Sequence, residues 1–351
     1  MIEKSLDNQF QYDGETVYEH HKLVVDDHQL IMRIDKFLMN QIANMTRNKV
    51  QKLAEHNFIL VNNVAVKSSY KVKPKDVILV TQDFPKRDNT LVAENIPISV
   101  LYEDDYLVIV NKEPGMVVHP SYGHYKGTLL NALKFHINKL AESGDDNRPG
   151  LVHRIDKNTS GIIVVAKTSE ALVHLQKQFF DRITSRRYQA LVWGDLDQDQ
   201  GTIKGNIGRS LKNRKVMDVF PENEDYGRHA VTHYNVLERF GYLTLIECKL
   251  ETGRTHQIRA HFKYIGHPLF NDEVYGGDRV LRGTTFSKYK QFVQNCFKRM
   301  PRHALHAKSL GFHHPKNNEW VQFDSELPED FSEILERWRN YTQQRLLKER
   351  E

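Results

Sequence analysis

The sequence predicts a mixed α+β protein in two parts, a small N-terminal domain and a larger C-terminal one. Three observations predict it. Residues 21–80 carry short helical and strand-like runs. Residues 82–95 lose all periodicity in a stretch rich in Pro, Asp, Lys and Arg. From about Ile96 onward strands and helices alternate to the end. The length of 351 residues suits one to two domains. We read residues 1–19 as a flexible tail, 20–82 as the first domain, 83–97 as a linker and 98–345 as the second domain.

The first domain opens with a helix over 33–44, where Ile34, Phe37, Leu38 and Ile42 recur at helical spacing. Thr46 suits the N-cap of a second helix whose buried stripe is Val50, Leu53 and Ala54. Strands follow at 58–61 and 64–66, joined by the turn pair Asn62-Asn63, and a closing strand at 77–80. In the second domain, strands are expected over 106–111, 161–167, 190–194 and 242–251. A helix is expected over 169–182, where Leu172, Leu175 and Phe179 share a face and Glu170 suits the first turn.

Composition removes several classes of function. The first fifteen residues are polar, and the apolar run 162–166 is far too short to cross a bilayer, so a cytoplasmic chain is expected. Cys248 and Cys296 are distant and match no metal spacing. His303 and His306 lie three apart, but no paired cysteines and no HExxH motif accompany them, so no metal is expected. With neither a P-loop nor a GxGxxG turn, no nucleotide cofactor is expected either.

Charge is unevenly placed. The whole chain carries +5, yet residues 33–80 hold nine Lys or Arg against three acids, a net +6. That concentration points to a polyanionic partner, with a merely solvated surface as the alternative. Arg33, Lys36, Arg47, Lys49, Lys52, Lys71 and Lys73 are the candidate contacts. A second basic stretch, 278–302, carries seven Lys or Arg and one Asp among Phe286, Tyr289, Phe292 and Phe297. It reads as an RNA-contacting insertion, as an amphipathic helix packing its aromatics inward, or as both.

The string Arg148-Pro-Gly-Leu-Val-His-Arg-Ile-Asp-Lys-Asn-Thr-Ser-Gly sets one acid, Asp156, in a polar loop just before the apolar run 162–165. A rigid strand end can present a reactive group. Arg154 and Lys157 flank that acid, and nearby cations keep a carboxylate ionised and able to act as nucleophile or base. A structural Asp–Arg pair would look the same.

The longer motifs are more specific. The stretch Arg33-Ile-Asp-Lys-Phe-Leu, Thr46-Arg-Asn-Lys-Val-Gln-Lys-Leu, Leu60-Val-Asn-Asn and Lys71-Val-Lys-Pro-Lys-Asp resembles the alpha-L RNA-binding domain first recognised in a small-subunit ribosomal protein. The string around Asp156 resembles the signature of RluA/RluD-family pseudouridine synthases, with Ile155 where the family usually has Leu. The resemblance continues through Asn111-Lys-Glu-Pro-Gly-Met-Val-Val-His-Pro, Arg187-Tyr-Gln-Ala-Leu-Val-Trp-Gly, Leu250-Glu-Thr-Gly-Arg-Thr-His-Gln-Ile-Arg-Ala-His and His303-Ala-Leu-His-Ala-Lys-Ser-Leu.

That resemblance implies a catalytic domain with a mixed, largely antiparallel sheet and a central cleft, where Asp156, Tyr188 and Arg254 meet. It implies isomerisation of uridine in RNA, with Asp156 as nucleophile, Arg254 pairing with it (a phosphate clamp or a core ion pair being the alternatives), and Tyr188 on the uracil face or in proton transfer. Arg154 is expected to contact RNA by filling the gap left by the displaced base. The expected partner is RNA, most simply large-subunit ribosomal RNA, bound by a monomer that uses neither DNA nor membrane. A transfer RNA target, a base-releasing nucleosidase or glycosidase, and a non-catalytic ribosome-assembly factor are the alternatives. His153 is expected to position by hydrogen bonding rather than act as a base.

Overall fold

The computed structural model describes residues 9–12, 15–42, 45–83, 91–121, 123–137, 140–141, 148–213 and 216–348. The chain divides into two compact units, Met1–Thr90 and Leu91–Glu351.

The first unit contains β1 (Gln9–Tyr12), β2 (Glu15–Val24), β3 (Met32–Arg33), α1 (Ile34–Gln41), α2 (Arg47–Glu55), β4 (Ile59–Val61), β5 (Val64–Ala65), β6 (Lys71–Val72) and β7 (Val77–Gln82). Its main sheet runs β1-β2-β7-β4-β5, antiparallel throughout. The Thr46 side chain caps α2 by accepting from the Lys49 amide. Asn62 and Asn63 both have positive φ (49° and 68°), which a two-residue turn between twisted strands requires. Ile34, Leu38, Val50, Ile59 and Ile78 form the core.

Much of the expected tail is strand. Residues 15–18 pair with β1 and residues 18–24 with β7, and Val17 is buried. The polar residues 18–22 interrupt the apolar alternation, and a register shift between Glu19 and His21 breaks it further. The expected helix 33–44 is shorter, because Ile42 turns extended at the C-cap; residues 43–44 lie outside those described. Of the expected linker 83–97, residues 84–90 also lie outside. Residues 91–97 belong to the second unit: Leu91 enters its core, and the Asn131 amide donates to the Val92 carbonyl.

The second unit contains β8 (Ser99–Glu103), β9 (Leu107–Lys112), α3 (Leu129–His136), β10 (Ser160–Ala166), α4 (Ser169–Phe180), β11 (Ser185–Trp193), β12 (Gln200–Arg209), β13 (Met217–Phe220), β14 (Arg228–Arg239) and β15 (Leu243–Leu250). Then come α5 (Gln257–Tyr264), α6 (Ser287–Arg299), β16 (Leu305–His313), β17 (Trp320–Asp324) and α7 (Glu329–Lys348). One ten-stranded sheet runs β13-β12-β14-β15-β11-β16-β10-β9-β8, with β17 beside β16. Every pairing is antiparallel except β10 with β16. The architecture is therefore mixed α+β with a largely antiparallel sheet.

The strand β10 explains why its sequence reads as an unbroken apolar run rather than an alternation. Ile163 and Val165 face a core with Leu129, Leu130 and Leu133 of α3. Ile162 and Val164 face another with Leu172 and Leu175 of α4. With both faces covered, all seven residues are buried. Gly161 is required where β10 meets β16. Its φ is +111°, and an added Cβ would sit 2.3 Å from the Ala307 carbonyl oxygen. In the basic segment, α6 packs Tyr289, Val293, Cys296 and Phe297 against Trp338 and Phe331 of α7. Its Lys288, Lys290, Lys298 and Arg299 remain exposed.

Candidate active site

The loop between residues 155 and 160 is held from several sides. Lys112, 1% exposed, ends β9 with its ammonium donating to the carbonyls of Glu113, Met116 and Lys157 at 2.7, 2.9 and 3.0 Å. These three acceptors use all three donors. Arg302 donates to the Asn158 carbonyl at 3.2 Å while forming a bidentate pair with Asp330. The ring of His303 bonds Thr159 Oγ1 at 2.9 Å, and that of His306 bonds Ser160 Oγ at 3.0 Å and Ser325 Oγ at 2.9 Å. Burial drives His303 to about 3 and His306 to about 4, so both are neutral hydrogen-bonding struts at neutral pH. The backbone that carries Asp156 is therefore fixed before any substrate arrives.

Asp156 lies in an open cavity of about 440 Å³, and its side chain is 21% exposed. Its Oδ2 accepts from Arg259 Nη1 at 3.0 Å, and His256 Nε2 lies 3.8 Å away. Burial pushes the carboxyl's pKa up. The charges of His256, Arg259 and His303 and the Arg259 hydrogen bond outweigh it and hold the pKa below the usual value. Burial lowers the pKa of His256 and of His303, so their charges act on Asp156 only in the acid range where the carboxyl itself titrates. Arg259 is thus the permanent cation. Asp272, wholly buried, grips Arg259 in turn with contacts of 2.7 and 2.9 Å, and the guanidinium lies 5.0 Å over the Tyr275 ring.

Tyr188 shares the cavity. It sits on β11 at a register shift relative to β16, the kind of irregularity that re-aims a side chain. Burial raises its phenol, with Asp156 adding to that and Arg186 opposing, so it stays protonated at neutral pH. Arg154 is exposed at the cavity rim. His153 accepts from the Val164 amide and stacks on Phe179 at 4.7 Å. Burial pushes it down to about 3, so it positions and does not titrate near neutrality.

The expected Asp156–Arg254 pair does not form. Arg254 lines the cavity, but its Nε donates to the His229 carbonyl at 3.1 Å. Its amide donates to Gln257 Oε1, and the buried Gln257 also holds Val231 and Thr232, which locks the 252–257 loop. Arg259 takes the place intended for Arg254. It lies in the first turn of α5, while His256, at the N-cap with a left-handed backbone, approaches the same carboxylate. The available signal was a second arginine within the same motif; Asp272 offered none, being unremarkable in sequence. In the first unit, Lys36, Lys49, Lys52, Lys71 and Lys73 are exposed as expected. Arg33 is less available, donating to the buried Asp35 at 2.7 Å, and Arg47 lies 3.5 Å from the same carboxylate.

Comparison with known proteins settles the family. Residues 106–264 match the RNA pseudouridylate synthase family, and residues 32–78 match the S4 domain. An uncharacterised RNA pseudouridine synthase of Chlorobaculum parvum is 48% identical over 313 residues, covering 89% of this chain and 95% of its own. The chain belongs to the RNA pseudouridine synthases. The synthase is also 40% identical, over 91% of its length and 88% of the relative's, to a protein of Nitrosomonas europaea named ribosomal large subunit pseudouridine synthase D. Two human proteins, RNA pseudouridylate synthase domain containing 1 and 4, share the fold at 24% identity. Their TM-scores are 0.50 and 0.51, over 67% and 69% of the chain. The synthase is thus an isomerase acting on RNA, carrying an RNA-binding S4 domain at its N-terminus. Among the described residues no helix is long and apolar enough to cross a membrane.

Proposed function

We propose that this synthase isomerises specific uridines of large-subunit ribosomal RNA in the cytoplasm, with the Asp156 carboxylate starting cleavage of the bond between N1 of uracil and C1′ of ribose. The observation that carries the reading is an ionised carboxylate, fixed by Arg259, at the open floor of a cavity that Tyr188 shares. The net change is redox-neutral. The N1–C1′ bond breaks, the base turns, a C5–C1′ bond forms, the C5 hydrogen leaves as a proton and N1 takes one up.

A carboxylate acting at an anomeric centre has precedent in retaining glycosidases, which also need a second acid for the leaving group. Uracil leaves as a delocalised anion and needs none. The cavity fits that economy. Of the two acids among its described lining residues, Glu251 is engaged by His233 at 2.6 Å, which leaves Asp156. Tyr188 stacks on the displaced base or takes part in its proton transfers, and Arg154 enters the gap in the RNA stack. Everting the base costs roughly a few kcal/mol of unstacking, which contacts made by the cations of the S4 domain offset. The ribosomal target is supported by relatives named for the large subunit. Mapping pseudouridines in ribosomal and transfer RNA from cells with and without the gene tests the target. Sites lost from large-subunit RNA are expected; sites lost only from transfer RNA would overturn it.

A further inference from the structure

Arg186 is anomalous in a way the chemistry at Asp156 does not explain. It sits on β11 two residues before Tyr188, lines the same cavity, and is only 8% exposed. A guanidinium offers five N–H donors. Nη2 reaches the Glu251 carbonyl at a long 3.3 Å, and the buried Nε has no hydrogen-bond partner among the described residues. Phe179 supplies a ring 5.6 Å from the guanidinium carbon, but no acid among the described residues pairs with it. The two acids of the cavity are taken, Asp156 by Arg259 and Glu251 by His233.

The surroundings add positive charge instead of removing it. Arg182, exposed at the rim, faces Arg186, and Arg254 feels Arg182, Arg228 and Arg186 together; burial and these like charges depress the Arg254 pKa. The local backbone makes room for the arrangement. Residue 253 is glycine, and a Cβ there would lie 2.7 Å from Arg186 Nη1. A desolvated cation with unfilled donors and cationic neighbours is unfavourable in the empty protein. It is stabilised when a multivalent oxyanion fills the donors.

We propose that Arg186, Arg182 and Arg254 form a cradle for one backbone phosphate of the RNA strand beside the everted uridine. The proposal rests on the synthase acting on a base within RNA. The geometry suits such a substrate. A nucleotide whose sugar lies against Asp156 has its phosphate a few bonds away, within the cavity that Arg182, Arg186 and Arg254 also line. Arg186 is a binding group that holds the strand in place, while Asp156 does the chemistry. A phosphate seated there would fix the sugar relative to the carboxylate and favour the everted state over the stacked one.

The test measures binding of transcribed large-subunit ribosomal RNA as a function of salt, for the wild-type chain, Arg186→Gln, Arg186→Lys and Arg182→Gln. Each phosphate contact contributes about 0.7 to the slope of log affinity against log salt for single strands. Arg186→Gln is expected to lower the slope by about that amount, and Arg186→Lys to restore most of it because the charge returns. Phosphate-ethylation interference on the same RNA supplies the second readout. One ethylated phosphate should hinder wild type and have no effect on Arg186→Gln. An unchanged slope with the same interfering phosphates would overturn the proposal. Should Arg186→Gln fail to fold, Arg182→Gln decides, since Arg182 is exposed; an unchanged slope there overturns the cradle equally. Tritium release from C5-labelled uridine, run in parallel on the wild-type chain, keeps the two claims apart. Its failure would strike at the catalytic reading while leaving the phosphate result standing.

Discussion

Replacing Arg259 by Met separates what this residue does for the fold from what it does for Asp156. The guanidinium makes two bonds to wholly buried Asp272 and a third, at 3.0 Å, to Asp156. Met fills similar volume but leaves the Asp272 carboxylate buried and unpaired. Breaking a buried pair in this way costs roughly 3–5 kcal/mol. At about 2–4 °C per kcal/mol for a unit of this size, the melting temperature should fall by roughly 6–20 °C. The Asp156 carboxyl responds as well. In the wild type its folded-state pKa lies below the usual 3.8. Its ionised form therefore adds stability above that value and loses it as the pH falls through the depressed one. Without Arg259 the carboxyl loses both that charge and its hydrogen bond, so the pKa rises from its depressed value. The stability that the ionised group adds at neutral pH shrinks accordingly. The acidic limb of kcat/KM, followed by tritium release from C5-labelled uridine, should move to higher pH by the same cause. Calorimetry and the pH profile check both parts. A melting temperature unchanged within about 2 °C, or an acidic limb that stays in place, would refute the role given to Arg259.

Other perturbations probe different links. Tyr188→Phe should leave folding and RNA affinity near wild type yet lower turnover about 10²–10⁴-fold if the phenol serves proton transfer; single-turnover kinetics with a binding assay separate the two. Gly161→Ala forces a Cβ against the Ala307 carbonyl, and urea unfolding should show a loss of about 1–3 kcal/mol. Lys49→Gln with Lys52→Gln, both exposed on α2, should reduce the salt slope of RNA binding by about 0.7 for each phosphate no longer neutralised, without changing the thermal transition of Leu91–Glu351.

The residues whose role is set by local chemistry were the ones readable in the sequence. Thr46 caps a helix, Asn62-Asn63 turns a hairpin, and the doubly covered strand β10 announces itself as an apolar run. Asp156 and Tyr188 were placed in one cavity by motif resemblance, and the structure brings them together there. What escaped depends on partners far along the chain. The expected partner of Asp156 was Arg254, whereas Arg259 is the one that α5 turns toward it; Asp272, which fixes Arg259, had no local signature, and Lys112 lay in a quoted motif that gave no hint of its tie to Lys157, 45 residues away. The strands β12, β14 and β16 went unread because their polar and glycine-rich stretches, such as Gln200–Arg209, are paired through long-range ladders rather than marked by their own alternation. The segment 278–302 satisfies its inward-packing reading through Tyr289 and Phe297, while its exposed lysines leave the RNA-contacting reading available to the same binding measurements.

The most direct measurement is tritium release from C5-labelled uridine in large-subunit ribosomal RNA by Asp156→Asn, alongside RNA affinity. Asparagine keeps the shape and removes the charge that Arg259 holds ready. If that carboxylate starts the reaction, release falls to background while affinity stays close to wild type. Release at the wild-type rate would contradict a catalytic role for Asp156.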